Sequence, residues 1–281
     1  MTATQLSSRT TVLSRVAEGR AGRTASGALR WVEPTLAVIA LALVWELASR
    51  TGVLPREDFP PVTDIASAWF HDVVGSDLWA GIAASMTAWA IGMVIVVVVG
   101  VPLGMLLGTS KISYQMSYLT LEFIRTLPAI AALPLLLFIY GIGQELTIAL
   151  VVLAALWPLL IQSMYGMHDV DPIAVSTARV YGVGRVRRFF LVDLPSCMPY
   201  IATGLRISGT FGLIFAIAAS LLVGGEGLGA AMTNAAMVGD RALLYARVLT
   251  TGLLGLLVTF ALVLLERRTL RWHSSQRTVN R

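Results

Sequence analysis

The chain has 281 residues, is 56% hydrophobic and only 13% charged, and carries a formal net charge of +5. Soluble domains run about 45–50% apolar and about 25% charged, so the composition excludes a soluble enzyme and leaves an all-α, polytopic membrane protein with one membrane domain. The basic excess comes from Arg at the membrane flanks rather than from an aromatic-interleaved patch, which excludes nucleic acid as a partner; the single cysteine, Cys197, gives neither a disulfide framework nor a cysteine metal site.

Residues 1–33 are polar and contain Arg9, Arg15, Arg20, Arg23 and Arg30 without an apolar run. They read as a flexible cytoplasmic tail and not as a cleaved signal peptide. The membrane domain is expected over 34–268. Its first span runs from about Pro34, a good helix start, to Ala48, with Glu46 near its far end. A loop with Pro55, Pro60 and Pro61 follows, then a short amphipathic segment, Thr63 to Val74.

The second span, Trp79 to Gly108, ends with Gly100, Gly104 and Gly108 on one helical face, which lets another helix approach closely. Pro102 is expected to kink it. The third span is expected as one segment from Met116 to Tyr140, with Glu122 and Arg125 three residues apart and able to pair. The fourth covers Glu145 to Gly166. The fifth covers Met198 to Val223, with Arg206 near its cytoplasmic end, where it can snorkel. After the glycine-rich turn Gly224 to Gly229, a short re-entrant or surface helix is expected over Ala230 to Val238. The sixth span covers Ala242 to Leu265, with Arg247 near its start, and residues 269–281 form a cytoplasmic tail.

Lys and Arg fix the orientation. The N-terminal tail has five, the region after span two has Lys111 and Arg125, the segment before span five has four and the C-terminal end has five; the opposite loops hold only Arg50, Arg56 and Arg241. Six spans with both termini inside satisfy this count.

The remaining polar stretch is the loop 167–197. Asp171 to Tyr181 reads as a short helix broken by Gly182 and Gly184, and Arg179, Arg185, Arg187 and Arg188 make it basic. A second amphipathic segment is expected to stop at Leu194-Pro195. Ala178, Gly182 and Val192-Asp193-Leu194-Pro195 fall at the spacing of Glu-Ala-Ala, three residues, Gly, nine residues, Ile-x-Leu-Pro. That motif marks permease subunits of bacterial ATP-binding-cassette importers, which this chain resembles. Val192 stands in place of Ile, and Ser176 and Thr177 replace the Glu and the first Ala. A plain cytoplasmic loop and a membrane-surface helix are the rival readings. The phrase from Arg125 through Pro128 to Pro134-Leu135, with Gly204-Leu-Arg206, resembles the nitrate, sulfonate and taurine subgroup, while Tyr140 to Gly143 and Gly227-Leu-Gly229 resemble turns of the family; Ala132 stands where a Trp is usual.

The resemblance implies a type I importer permease in the bacterial inner (plasma) membrane, working as a pair of copies. It implies that a coupling helix around 171–183 docks on a separate cytoplasmic ATPase dimer, with Asp171, Ala178, Arg179, Gly182, Leu194 and Pro195 as the coupling residues. ATP and Mg would be bound by that partner, so no cofactor is expected in this chain. A soluble extracytoplasmic binding protein would deliver a small, anionic solute of the nitrate, sulfonate or taurine kind, with an aromatic carboxylate or a pyrimidine precursor of thiamine as the alternative. Polar or aromatic residues expected on the substrate path are Tyr140, Gln162, Ser208, Thr210 and Ser220.

Chemistry of the chain's own is not legible. Gly108-Thr-Ser-Lys111 is no phosphate-binding loop, His71, His168 and His273 are scattered, and no nucleophile elbow occurs. An ion-driven secondary transporter is the rival class. Such folds place ionisable groups near the bilayer middle, whereas the centres of spans two, four and five lack Asp, Glu and Lys.

Overall fold

The computed structural model describes residues 35–270. The expected N-terminal tail, Pro34 and residues 271–281 of the expected C-terminal tail lie outside them. The chain divides into two units, the first ending at Ser67 and the second beginning at Ala68.

In the first unit, helix α1 spans 35–50. Leu36, Val38, Leu41 and Val44 on it are more than half exposed, as a lipid-facing surface requires. The loop after it folds back onto its end. Ser49, fully buried, donates to the Phe59 carbonyl at 2.7 Å, and Trp45 Nε1 donates to the Pro60 carbonyl at 3.1 Å. Glu46 accepts from the Thr63 N–H at 3.1 Å and its hydroxyl at 3.0 Å. Glu46, placed near the span's far end, therefore anchors the start of α2 (Val62–Val74).

The second unit is built on α3 (Ser76–Gly108), α6 (Gln144–His168) and α9 (Leu194–Val223). The expected glycine face of α3 lies on α6. A Cβ on Gly104 would stand 2.3 Å from the Leu160 carbonyl oxygen, and one on Gly108 2.4 Å from that of Met164. Gly92, about three turns from Gly104, would meet Val151. Small residues thus substitute for the hydrophobic drive that lipid removes from helix association. Helix α3 stays helical through Pro102. Gly204 of α9 packs on Leu159 and Gln162, and Gly229 of α10 (Leu228–Met237) lies against the Ile217 carbonyl. Helix α11 (Arg241–Thr269) completes the unit.

Two sequence expectations are corrected. The third span is not one segment. Helix α4 (Lys111–Thr126) ends at Leu127, and a 3-10 turn (Ala129–Ala132) leads into α5 (Leu133–Tyr140), with a bend of 75° between the two halves. The ring of Pro128 disfavours helical geometry in the residue before it, and Leu127 is accordingly extended, with ψ 126°. Pro134, by contrast, sits in the first turn of α5, where its missing N–H costs nothing.

The second correction concerns Leu194-Pro195, which is not a stop. Helix α8 (Arg185–Arg188) continues through a π-helical segment (Phe189–Asp193) directly into α9. Pro195 cannot donate to residue 191 and its ring would clash there. The wider π turn, with the Leu194 N–H bonded to the Phe189 carbonyl, absorbs both problems without ending the helix.

Among the described residues, four helical runs are long and apolar enough to cross a bilayer: α3, α6, the run from Arg185 through α9 to Met237 at the end of α10, and α11. The bent pair α4 and α5, taken as one crossing, gives a fifth. The described part of α1 is shorter than the roughly 20 residues a crossing needs, and the expected first span begins at Pro34, outside the described residues.

Candidate functional sites: an exposed short helix and a membrane cavity

The loop 167–197 carries the helix α7 (Pro172–Val180). Asp171 is its N-cap: the carboxylate accepts from the Ile173 N–H at 2.8 Å, and Pro172 occupies the first turn, where it suits the dipole and the missing donor. Gly182, at φ +70°, ends the helix. Its N–H bonds the Arg179 carbonyl at 2.9 Å, and the Val183 N–H reaches back to the Ala178 carbonyl at 3.0 Å. This paired closure needs a left-handed residue, which glycine supplies at least cost.

The two faces of α7 differ. Ala178 is turned inward and buried, while Ile173, Val180 and Tyr181 are 74%, 86% and 81% exposed. With Pro172, Ser176 and Thr177 they line a shallow groove on the outer side. Arg179, Arg185 and Arg187 are exposed too. Arg188 is not: it pairs with buried Asp193 at 3.4 Å, inside the π segment. At the other end, Tyr200 donates to Asp169 at 2.6 Å. Leu194 and Pro195 are half-buried in the continuous helix.

A second feature lies where the third span breaks. A cavity of about 490 Å³ is walled by the Arg125–Ala129 break, by α6 and by α9. Trp157, Phe211 and Phe215 give it an aromatic wall, and its polar side chains include Arg125, Thr126, Gln162 and Tyr165. The expected pair is present: Arg125 Nη2 stands 2.7 Å from Glu122 Oε2. The other Glu122 oxygen accepts from Tyr165 Oη at 3.1 Å.

Of the five residues expected on a substrate path, only Gln162 lines this cavity. Tyr140 is exposed at the end of α5. Thr210 bonds back to the Arg206 carbonyl of its own helix at 3.0 Å, and Ser220 to the carbonyls of Ala216 and Ile217. Ser208 is fully buried, and its hydroxyl has no partner among the described residues. Sequence reasoning missed Trp157, Tyr165, Phe211 and Phe215. Their signal was helical spacing: Ile207, Phe211 and Phe215 recur every four residues on α9, as Trp157, Ile161 and Tyr165 do on α6.

A third arrangement was also missed. Arg247 of α11 donates to both carboxylate oxygens of Asp72, at 3.1 and 3.0 Å, and to the Ala231 carbonyl of α10 at 2.6 Å. Arg206, expected to reach out to the interface, lies 3.5 Å from Glu266 of α11.

The sequence matches the family described as "Binding-protein-dependent transport system inner membrane component" over residues 100–271. It is 29% identical over 238 residues to the nitrate import permease protein NrtB of Leptolyngbya laminosa, covering 82% of this chain and 84% of that one. It is 32% identical over 208 residues to NrtB of Synechocystis sp., covering 70% and 74%. The taurine transport system permease protein TauC of Escherichia coli is 29% identical over 246 residues, covering 85% and 88%. Among solved structures, a chain of the inward-facing MetNI methionine ABC transporter superposes with a TM-score of 0.58 at 19% identity, covering 67% of this chain and 94% of that one; the likeness is one of fold.

Proposed function

This chain belongs to the binding-protein-dependent transport system inner membrane component family, and from that premise we propose that it carries a small anion inward across the membrane, driven by a separate ATPase that docks on α7. It is a transport subunit and not itself the ATPase. Both termini and α7 face the cytoplasm, a second copy of the chain completes the passage, and a soluble binding protein outside delivers the solute.

The observation that carries the coupling proposal is the construction of α7. It is capped at Asp171, closed at Gly182 and exposes Ile173, Val180 and Tyr181 to an outside partner. Three adjacent apolar side chains exposed to water cost free energy that a partner's groove recovers, and a large aromatic such as Tyr181 is the residue type that anchors protein interfaces. Arg179 at the rim meets acidic groups of the partner. Ala178 serves from inside: its small side chain lets α7 lie close on the chain's own body. Leu194 and Pro195 lie in the rod that transmits the movement, since α8, the π segment and α9 are one continuous helix. A push on α7 therefore reaches α9, and through the glycine-lined α6 contact the rest of the unit. A carboxylate contact at the position of Ser176 has no part in this docking.

The anionic solute rests on the relatives' names, nitrate and taurine permeases, and on Arg125 in the cavity wall. Copurification tests the coupling: the tagged chain, extracted from its own membranes in mild detergent, brings down a Walker-motif ATPase. A chain that purifies alone, and transports under an ion gradient without ATP, refutes the proposal.

A further inference from the structure

We propose that the cavity at the broken third span is a selecting site within the permease itself, and that it takes a mono-anion with an apolar body, such as an alkyl or aryl sulfonate or carboxylate, in preference to a bare oxyanion such as nitrate. The inference rests on the importer reading above and adds a substrate class that the chain itself enforces.

Three observations carry it. The first is size. The cavity measures about 490 Å³, within the range of about 300–1,000 Å³ typical of sites for small organic ligands. At about 30 Å³ for one water molecule, a four-atom oxyanion fills only a corner of it. The second is the wall. Trp157, Phe211 and Phe215, with Leu153, Ile161 and Ile207, present aromatic and branched surface. Against that surface a bare oxyanion gives up water and has no apolar body to bury in return, whereas an alkyl or aryl group is driven onto it.

The third is the placement of charge. Arg125 is the one charged side chain in the wall among the described residues. Glu122 holds it by one nitrogen, and Tyr165 takes up the other oxygen of Glu122. The carboxylate is thus engaged on both sides, while the rest of the guanidinium fork, on a side chain 52% exposed, keeps donors for an incoming oxyanion. The broken backbone agrees. Non-helical chain at membrane depth is tolerated where it is buried in protein or lines a cavity, and Leu127 and Pro128 line this one.

The experiment is a binding series on the full chain in lipid nanodiscs, by titration calorimetry, against empty nanodiscs as the partition control. The ligands are nitrate, methanesulfonate, propanesulfonate, pentanesulfonate and benzenesulfonate as sodium salts. Affinity is expected to rise about fourfold per added methylene, with benzenesulfonate among the tight binders and nitrate the weakest. Arg125→Gln is expected to weaken the whole series by about ten- to a hundredfold. Ala129→Phe, which fills the cavity and leaves Arg125 in place, is expected to flatten the dependence on chain length. Nitrate binding as tightly as pentanesulfonate, or a series flat in the unmodified chain, overturns the inference.

The measurement separates this claim from the coupling proposal, because binding is read without the ATPase. A flat series beside intact ATP-driven nitrate uptake refutes the selecting cavity and leaves the importer reading standing. A rising series in a chain that shows no ATP-driven uptake supports the cavity and refutes the coupling.

Discussion

Arg247 grips Asp72 with two hydrogen bonds, at 3.1 and 3.0 Å, between residues 175 positions apart. Neither side chain is more than 9% exposed. The same guanidinium bonds the Ala231 carbonyl, so one side chain ties α2, α10 and α11 together. Breaking a buried pair by removing one partner costs about 3–5 kcal/mol, because the other charge stays buried and unpaired, whereas replacing both with apolar groups is often neutral. Asp72→Leu is therefore expected to lower the thermal midpoint of the detergent-solubilised chain sharply. Adding Arg247→Met to Asp72→Leu is expected to recover most of that loss, less the bond to Ala231. Additive losses in the double variant would show that the two residues act separately.

The glycine seam between α3 and α6 makes a second prediction, with an internal control. A methyl group on Gly104 would lie 2.3 Å from a backbone oxygen, and backbone cannot swing aside as a side chain can; one on Gly252 of α11 would meet nothing within 4 Å. Overpacking costs about 1–3 kcal/mol and occasionally more. Gly104→Ala is expected to destabilise by at least that much in a thermal melt followed by aggregation or fluorescence. Gly252→Ala is expected to leave the midpoint unchanged or raise it slightly, since alanine is the better helix former. Equal effects at the two positions would contradict the packing described.

Gly182 tests the closure of α7. Space is open around it, since nothing lies within 4 Å of an added Cβ, and only its φ of +70° resists substitution. Left-handed geometry costs a non-glycine residue roughly 1–2 kcal/mol, with Asn paying least. ATP-driven uptake is therefore expected to fall in the order Gly, Asn, Ala, Val at position 182, while the amount of chain in the membrane stays constant. Loss of uptake that tracks side-chain volume without regard to left-handed preference would point to a steric contact with the partner instead.

Much of the fold was legible because membrane proteins write their constraints plainly. Apolar runs marked long helices that the structure shows, and the four-residue spacing of Gly100, Gly104 and Gly108 marked the contact of α3 with α6. Proline was read less well, for a physical reason. The same residue breaks a span at Pro128, enters a first turn at Pro134 and passes through a helix at Pro195 behind a π turn. Which outcome occurs depends on whether neighbouring turns can give up a hydrogen bond, and that is a property of packing. Ala178 shows a related limit: the motif marks it, but only the three-dimensional register reveals that it faces inward while Val180 and Tyr181 face out. The cavity was hidden for the same reason. Arg125, Gln162 and Phe211 come from three separate segments, and the break at Pro128 is what brings them to one space. The Asp72–Arg247 pair was beyond sequence reasoning altogether, since nothing local links residues so far apart.

In the coupling proposed above, the outer face of α7 receives the force of an ATPase. Val180 tests it most directly, being 86% exposed and free to change without disturbing the core. The measurement is ATP-driven anion uptake into proteoliposomes holding the chain, its partner ATPase and its binding protein, with Val180→Glu compared against the unmodified chain. Val180→Glu is expected to fold and insert normally, to lose ATPase copurification, and to drop uptake to the level seen without ATP. Uptake and copurification both undiminished in that variant would contradict it.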